Sequence, residues 1–361
     1  YYGLLYGPYP YATVTMVDPP YRTDSGGMEY PTLFTAGTRV LTEPGVLSPE
    51  GVIVHEFGHG YWYGLVANNE FEEAWLDEGI NTYSTAKVLA MAYGEGRMAG
   101  NFRGLPLGRF LGLPKYFDYE LNRAGAINAV GWDPVTAWSW KFLDPMSYSA
   151  NVYNRAATLL DTLELFLGDE VMARTMRTFH SRYRFKHPKT ADFTAVAAEV
   201  SGRDLDWFFR TLFMDTLDFD YGVGRVTCAA EAGPPAPPGN ASAAGEKKAE
   251  GKKMFRTRIV LRRFGEAVLG GDASVEFKVR FADGTEENGR WDGRDRWARF
   301  EFVRPSRVER VTVDPRGIWL IDSDMANNSW QKARTNRNML GLMGRIVFAL
   351  QNLFLTASSW I

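Results

Sequence analysis

The sequence predicts an α+β fold in which a mainly helical half with a small sheet precedes an all-β module and an apolar closing helix. Three observations carry this. Residues 150–216 have helical periodicity, with Leu159, Leu160, Leu163 and Phe166 at core spacing. After Asp218 the chain breaks into short alternating runs, among them ASVEFKVRF and RVERVTVD, separated by turns such as ADG and WDGRD; that pattern reads as an all-β module. The last stretch, LGLMGRIVFALQNLFLTASSWI, is strongly apolar.

In chain order, YATVTMV (11–17) is rich in β-branched and aromatic residues and predicts a strand. The turn DSGG leads to a second extended segment, MEYPTLF. Ser48 reads as an N-cap with Pro49 at the first helical position, so a helix is expected over about 49–65. A turn at Ala67-Asn68-Asn69 separates it from a second helix over about 70–93. The expected domains are thus 1–217, 218–327 and a C-terminal helix over 328–361. Residues 231–253 contain no aromatic and no large aliphatic side chain, so a disordered insertion is expected there. The closing helix is interrupted by Arg345, Gln351 and Asn352, which makes it a poor membrane span. Docking on the protein body, or a membrane-surface or subunit contact through 340–361, are the readings it leaves.

The chain has 361 residues, enough for two or three domains, and 45% hydrophobic content can fill a real core. A net charge of −2 gives no nucleic-acid footprint. The lone Cys228 excludes an intrachain disulfide and a cysteine-built metal site. Because the sequence opens at Tyr1 in what reads as the middle of a domain, it is expected to be a fragment. Its localisation stays open, with a membrane-associated or exported bacterial protein among the readings.

The chemistry concentrates in VIVHEFGHGYWYGLVANNEFEEAWLDEGINTYS, residues 52–84. Residues four apart share one helix face, so His55 and His59 can aim ring nitrogens at one point. Glu56 sits to the side of that face, placed to reach a metal-bound water rather than the metal. A catalytic zinc commonly takes a third protein ligand. Glu78, eighteen residues beyond His59, can supply it if the second helix folds back alongside the first. His180 and His187 flank the basic SRYRFK stretch and read as parts of a solvated helix end.

These residues resemble the M1 aminopeptidases, gluzincins with the pattern H-E-x-x-H, eighteen residues, then E. Gly26-Gly27-Met28-Glu29 resembles the family's G-x-M-E-N, with Tyr30 in place of asparagine. WLDEG is similar to the family's W-L-N-E-G, and VYNRAATLLDTLELFLGDE resembles the start of its Y-E-K-G-A helix. DPRGIWLIDSDMANNSW is similar to the end of the family's β-sandwich domain. The chain departs from the family's H-Q-W-F-G-N at His59-Gly60-Tyr61-Trp62-Tyr63-Gly64. As a fragment it is expected to be without the family's N-terminal β-domain, which the resemblance implies can contribute a substrate-binding residue.

The resemblance implies a thermolysin-like catalytic domain with a small sheet lobe and a helical lobe, holding one Zn²⁺ on His55, His59 and Glu78. It implies Glu56 as general base and maps the catalytic tyrosine, an oxyanion donor, onto Tyr153. Glu29, presented after Gly26 and Gly27 and beside Met28, is the candidate to bind the free α-amine of a peptide substrate. Asp77 or Glu73 is expected to support a ligating histidine from behind. Two other readings stand beside this one: a related zinc hydrolase acting on an epoxide, and a catalytically silent interaction module.

Overall fold

The structure is a computed structural model. It describes residues 1–20, 23, 25–38, 46–94, 96, 115–231, 253–332, 343, 344, 347, 348 and 351. The chain divides into two compact units, one of residues Tyr1–Leu217 with Ile318–Ile321, the other of Asp218–Gly317 with Asp322–Arg334.

In the first unit, helix α1 (Tyr2–Tyr6) is followed by a three-stranded sheet of order β1-β3-β2. β1 is only Thr15–Val17, shorter than the expected 11–17, and runs parallel to β3, Leu33–Ala36. β2, Gly27–Tyr30, pairs antiparallel with β3 and places Glu29 opposite Phe34. The MEYPTLF segment is therefore a hairpin, turned at Pro31-Thr32, where Thr32 takes φ 59°.

Helix α2 spans Ser48–Gly58 and ends well short of the expected residue 65. Its cap residue is Leu47, at φ 52°, rather than Ser48, so Pro49 is the second helical residue, one later than the sequence predicts but still in the first turn. His59 keeps right-handed helical angles, so the face carrying His55 and His59 is complete. The chain then turns through Gly60, Tyr63 at φ 88° and Gly64, with the Tyr63 amide donating to the Val66 carbonyl at 3.0 Å. Glycine lowers helix propensity by about 1 kcal/mol per residue, and a cluster of it stops the helix here.

The second ligand-bearing element also starts later than expected. Residues 69–73 form turns, and one wide π-helical turn, Trp75–Gly79, leads into helix α3, Ile80–Tyr93. A second wide turn, Ser149–Arg155, leads into the helix Ala156–Leu167. These two turns abut because Gly79 has no side chain. A Cβ there would lie 2.5 Å from the Ala156 Cβ and 2.9 Å from the Val152 carbonyl oxygen. Below them Leu159, Leu160 and Leu163 are fully buried, while Phe166 is half-buried against Trp319.

One sequence expectation is overturned in this body. His180, on the helix Asp169–Tyr183, is not solvated but 2% exposed, lying 5.5 Å from the Trp62 ring and 5.6 Å from that of Tyr61. The basic residues around it dominate the sequence pattern, but its own helix face points inward.

The second unit has two antiparallel sheets, ordered β4-β5-β8 and β10-β9-β6-β7. Their strands are β4 Tyr221–Glu231, β5 Met254–Arg263, β6 Val275–Phe281, β7 Glu286–Trp291, β8 Trp297–Arg304, β9 Val308–Val313 and β10 Ser329–Gln331. Phe277 meets Phe300 at 4.4 Å and Phe281 meets Phe302 at 6.2 Å, joining the two sheets face to face as in a sandwich. β10 occupies positions expected to begin the closing helix, which corrects that boundary. The expected insertion falls, over 232–252, outside the described residues, as does most of 333–361. Among the described residues no helix is long and apolar enough to cross a membrane.

Candidate metal centre

α2 delivers His55 and His59 to one side of the turn Trp75–Gly79, which delivers Glu78. His55 Nε2 lies 3.1 Å from His59 Nε2 and 3.2 Å from Glu78 Oε2, and His59 Nε2 lies 3.2 Å from the same oxygen. A triangle with those edges has a point roughly 2 Å from each corner, the length of zinc–nitrogen and zinc–oxygen bonds. Two imidazoles and a carboxylate are also the donors a borderline-soft divalent ion prefers. The residues fit zinc. The wide turn matters here, since it places Glu78 and its neighbour Asp77 on different sides of His59.

Asp77, 1% exposed, sits 2.6 Å from His59 Nδ1. A neutral His59 therefore gives its Nδ1 hydrogen to Asp77 and keeps the Nε2 lone pair for the triangle. Of the two supports the sequence suggested, Asp77 is the one at the histidine. Glu73 instead accepts from the Thr190 amide at 3.0 Å and its hydroxyl at 2.6 Å. His55 is held by Asn81, whose side-chain amide donates to the His55 carbonyl at 2.8 Å.

Burial by itself would push the His59 ring down, but Asp77 and Glu78 hold its pKa well above the usual value. Burial opposes ionisation of Glu78 too, yet the two imidazoles keep its carboxylate well below its ordinary range. Glu56, beside the triangle and 8% exposed, is pushed up to about 7. Burial is the main cause, opposed by His59 and reinforced by Glu29, Glu78 and Asp77. A Cβ on Gly27 would come within 2.6 Å of Glu56 Oε1, so a glycine there leaves room for that carboxylate.

Tyr153 donates its hydroxyl to Glu78 Oε1 at 2.5 Å, and its ring stacks 6.1 Å from His55. Burial, with Glu78 adding to it, raises its pKa, so it stays a neutral donor. Glu29 also reaches the centre, its carboxylate lying within 4.8 Å of a His59 ring nitrogen and an Asp77 oxygen.

The centre opens into a cavity of about 520 Å³ whose lining includes Met28, Glu29, Glu56 and His59. Gly26 and Gly27 are not among the described residues that line it; at Gly27 the missing side chain makes room for Glu56. Tyr63, Asn68, Glu70 and the exposed His187 also line it. Sequence reasoning assigned none of these a role, because loop positions carry no periodicity that would show where they point.

The family model "Peptidase family M1 domain" matches residues 2–212. The chain belongs to that family. Leukotriene A-4 hydrolase of Xenopus laevis is 28% identical over 193 residues, covering 52% of this chain and 29% of that protein. Leucine aminopeptidase 2 of Aspergillus niger is 27% identical over 222 residues, covering 59% of this chain and 32% of that protein. The matched region thus spans roughly a third of these relatives' length. Among solved structures, an M1 zinc metallopeptidase of Deinococcus radiodurans is 18% identical, with a TM-score of 0.44 over 59% of this chain and 42% of that one. Legionella pneumophila aminopeptidase A in complex with aspartic acid is 17% identical, with a TM-score of 0.48 over 80% of this chain and 29% of that one.

Proposed function

We propose that the chain is the catalytic portion of a zinc aminopeptidase with a thermolysin-like gluzincin core, removing N-terminal residues from peptides. The observation that carries this reading is the near-equilateral triangle of His55 Nε2, His59 Nε2 and Glu78 Oε2, with Glu56 and Tyr153 on its flanks. Relatives named as aminopeptidases support it, aminopeptidase B of Rattus norvegicus among them at 32% identity over 96 residues.

His55, His59 and Glu78 would hold the ion. When bound, zinc supplies Lewis acidity and a water of lowered pKa. Glu56, with its carboxyl near neutrality, takes the proton released as water attacks the scissile carbonyl and returns it to the leaving amine. Tyr153, held protonated beside Glu78, donates a hydrogen bond to the developing oxyanion. Glu29 pairs with the substrate's α-ammonium group, which fixes the cut one residue from the end.

The test combines metal content with turnover of aminoacyl anilides. One zinc per chain is expected in the purified protein, with hydrolysis lost on chelation. Glu56→Gln should keep the zinc and lose activity by a factor of about a thousand or more. Normal turnover by Glu56→Gln would sink the reading.

A further inference from the structure

A carboxylate stands behind His59, but none stands behind His55. The His55 Nε2 faces the triangle, while its Nδ1 lies 3.5 Å from the hydroxyl oxygen of Thr85, on α3. Among the described residues that hydroxyl is the hydrogen-bond partner of Nδ1. A histidine that offers Nε2 to a metal carries its hydrogen on Nδ1, so here Nδ1 donates and Thr85 accepts.

The Thr85 oxygen also lies 3.2 Å from the hydroxyl of Tyr2, on α1. Tyr2 has one hydroxyl hydrogen and donates it to Asn81 Oδ1 at 3.2 Å, so between the two hydroxyls Thr85 is the donor. The Asn81 side-chain amide donates in turn to the His55 carbonyl at 2.8 Å. The bonds therefore run one way, from the His55 ring through Thr85, Tyr2 and Asn81 back to the His55 backbone. Tyr2, Asn81 and Thr85 are all buried, where polar groups without partners are costly. Gly58 makes the circuit possible, since a Cβ on it would run into both the Tyr2 hydroxyl and Asn81 Oδ1. The Tyr2 ring is itself fixed, stacked on Tyr61 at 5.3 Å and edge-on to Phe57 at 5.9 Å.

We infer that Tyr2 is a positioning residue for the metal centre, holding the His55 ring through Thr85 and the His55 backbone through Asn81. The inference rests on the zinc reading of the triangle and extends that centre to the helix at the start of the chain. A partner on the far nitrogen of a ligand fixes its tautomer and its rotation, and such partners carry about ten- to a hundredfold of metal affinity. The 3.5 Å link is long, which places the expected effect at the lower end. Tyr6 supplies the comparison. It stands on the same helix and is also buried, but its hydroxyl lies 2.8 Å from that of Ser84, which donates to the Ile80 carbonyl at 2.8 Å. That path touches neither His55 nor His59.

Zinc affinity of the full chain is measured by competition with a chelator, a readout free of turnover. Tyr2→Phe should bind zinc about tenfold more weakly than the wild type, and Thr85→Val should match it. Thr85→Ser, which keeps the hydroxyl, and Tyr6→Phe should both stay within about twofold of the wild type. Cobalt(II) bound in place of zinc should show an altered visible spectrum in Tyr2→Phe and not in Tyr6→Phe. Each tyrosine variant loses one buried hydrogen bond, so urea unfolding should find the two destabilised alike, and the metal readouts then separate positioning from general loosening. Unchanged affinity in Tyr2→Phe, or an equal loss in Tyr6→Phe, overturns the inference. A loss in Thr85→Ser as large as in Thr85→Val does the same, and this pair decides alone should Tyr2→Phe not fold. A wild type that holds no zinc removes the metal reading and the inference together. Zinc bound with the Tyr2 and Tyr6 variants split as expected, but no anilide cleaved, removes the aminopeptidase reading and leaves the positioning role standing.

Discussion

His59 and His180 are equally buried, at 1% and 2% exposure, and have opposite electrostatics. His59 faces Asp77 at 2.6 Å and Glu78 at 3.2 Å, and those carboxylates outweigh its burial to keep it well above its usual pKa. His180 lies among the rings of Tyr6, Tyr61 and Trp62, where burial, helped by Arg184, pushes it down to about 4. Burial alone therefore does not distinguish a ligand histidine from a core histidine. The charged neighbours do, and they arrive from other parts of the chain.

The bluntest way to break this comparison is to remove each ring. His59→Ala should abolish stoichiometric zinc and lower hydrolysis by about a thousandfold or more. His180→Phe, a near volume-conserving exchange, should keep one zinc per chain and most of the activity. Equal loss of metal in both variants would refute the division between them.

The next effect tests the neighbour rather than the ring. Asp77→Asn should weaken zinc binding by about ten- to a hundredfold, read by competition with a chelator. Unchanged affinity would mean that Asp77 does not orient His59.

A smaller effect is expected from the packing of the general base. Gly27→Ala should lower kcat by about tenfold at unchanged zinc content, because the new Cβ would meet Glu56 Oε1 at 2.6 Å. Gly26→Ala is the control, since nothing lies within 4 Å of a Cβ there. Equal behaviour of the two variants would contradict the proposed crowding.

The smallest effect sharpens the His180 side. The unfolded chain takes up a proton on this ring near its ordinary value of 6.5, whereas the folded chain refuses it until about 4. Stability therefore falls as pH drops through that window, and above it the group contributes no pH dependence. Between pH 7 and pH 5 the loss should be on the order of 1 kcal/mol, allowing for solvent screening. Urea unfolding at the two pH values should show a larger difference in the wild type than in His180→Phe.

Much of the site was legible from spacing. His55 and His59 share a face because four residues make about one helical turn. Strand alternation after Asp218 marked the all-β character of the second unit. Helix ends were less legible: α2 stops at Gly58 because Gly60, Tyr63 and Gly64 turn the chain, while the apolar pattern itself runs on to Val66. The start of the second helix was misplaced because the residues after Asn69 close turns that no periodicity marks. His180 was misread because its basic neighbours in sequence are not its neighbours in space.

By itself the sequence determined which donors are available and the face on which two of them stand, since helical pitch is a local property of the backbone. Tertiary structure alone decided that Glu78 closes the triangle, that Asp77 backs His59, and that Asn68 and Glu70 line the cavity beside them. Those contacts join elements through the bare Cα of Gly79 and through turns with no repeating pattern. Such close approaches depend on the sum of the packing around them, which no local stretch of sequence contains.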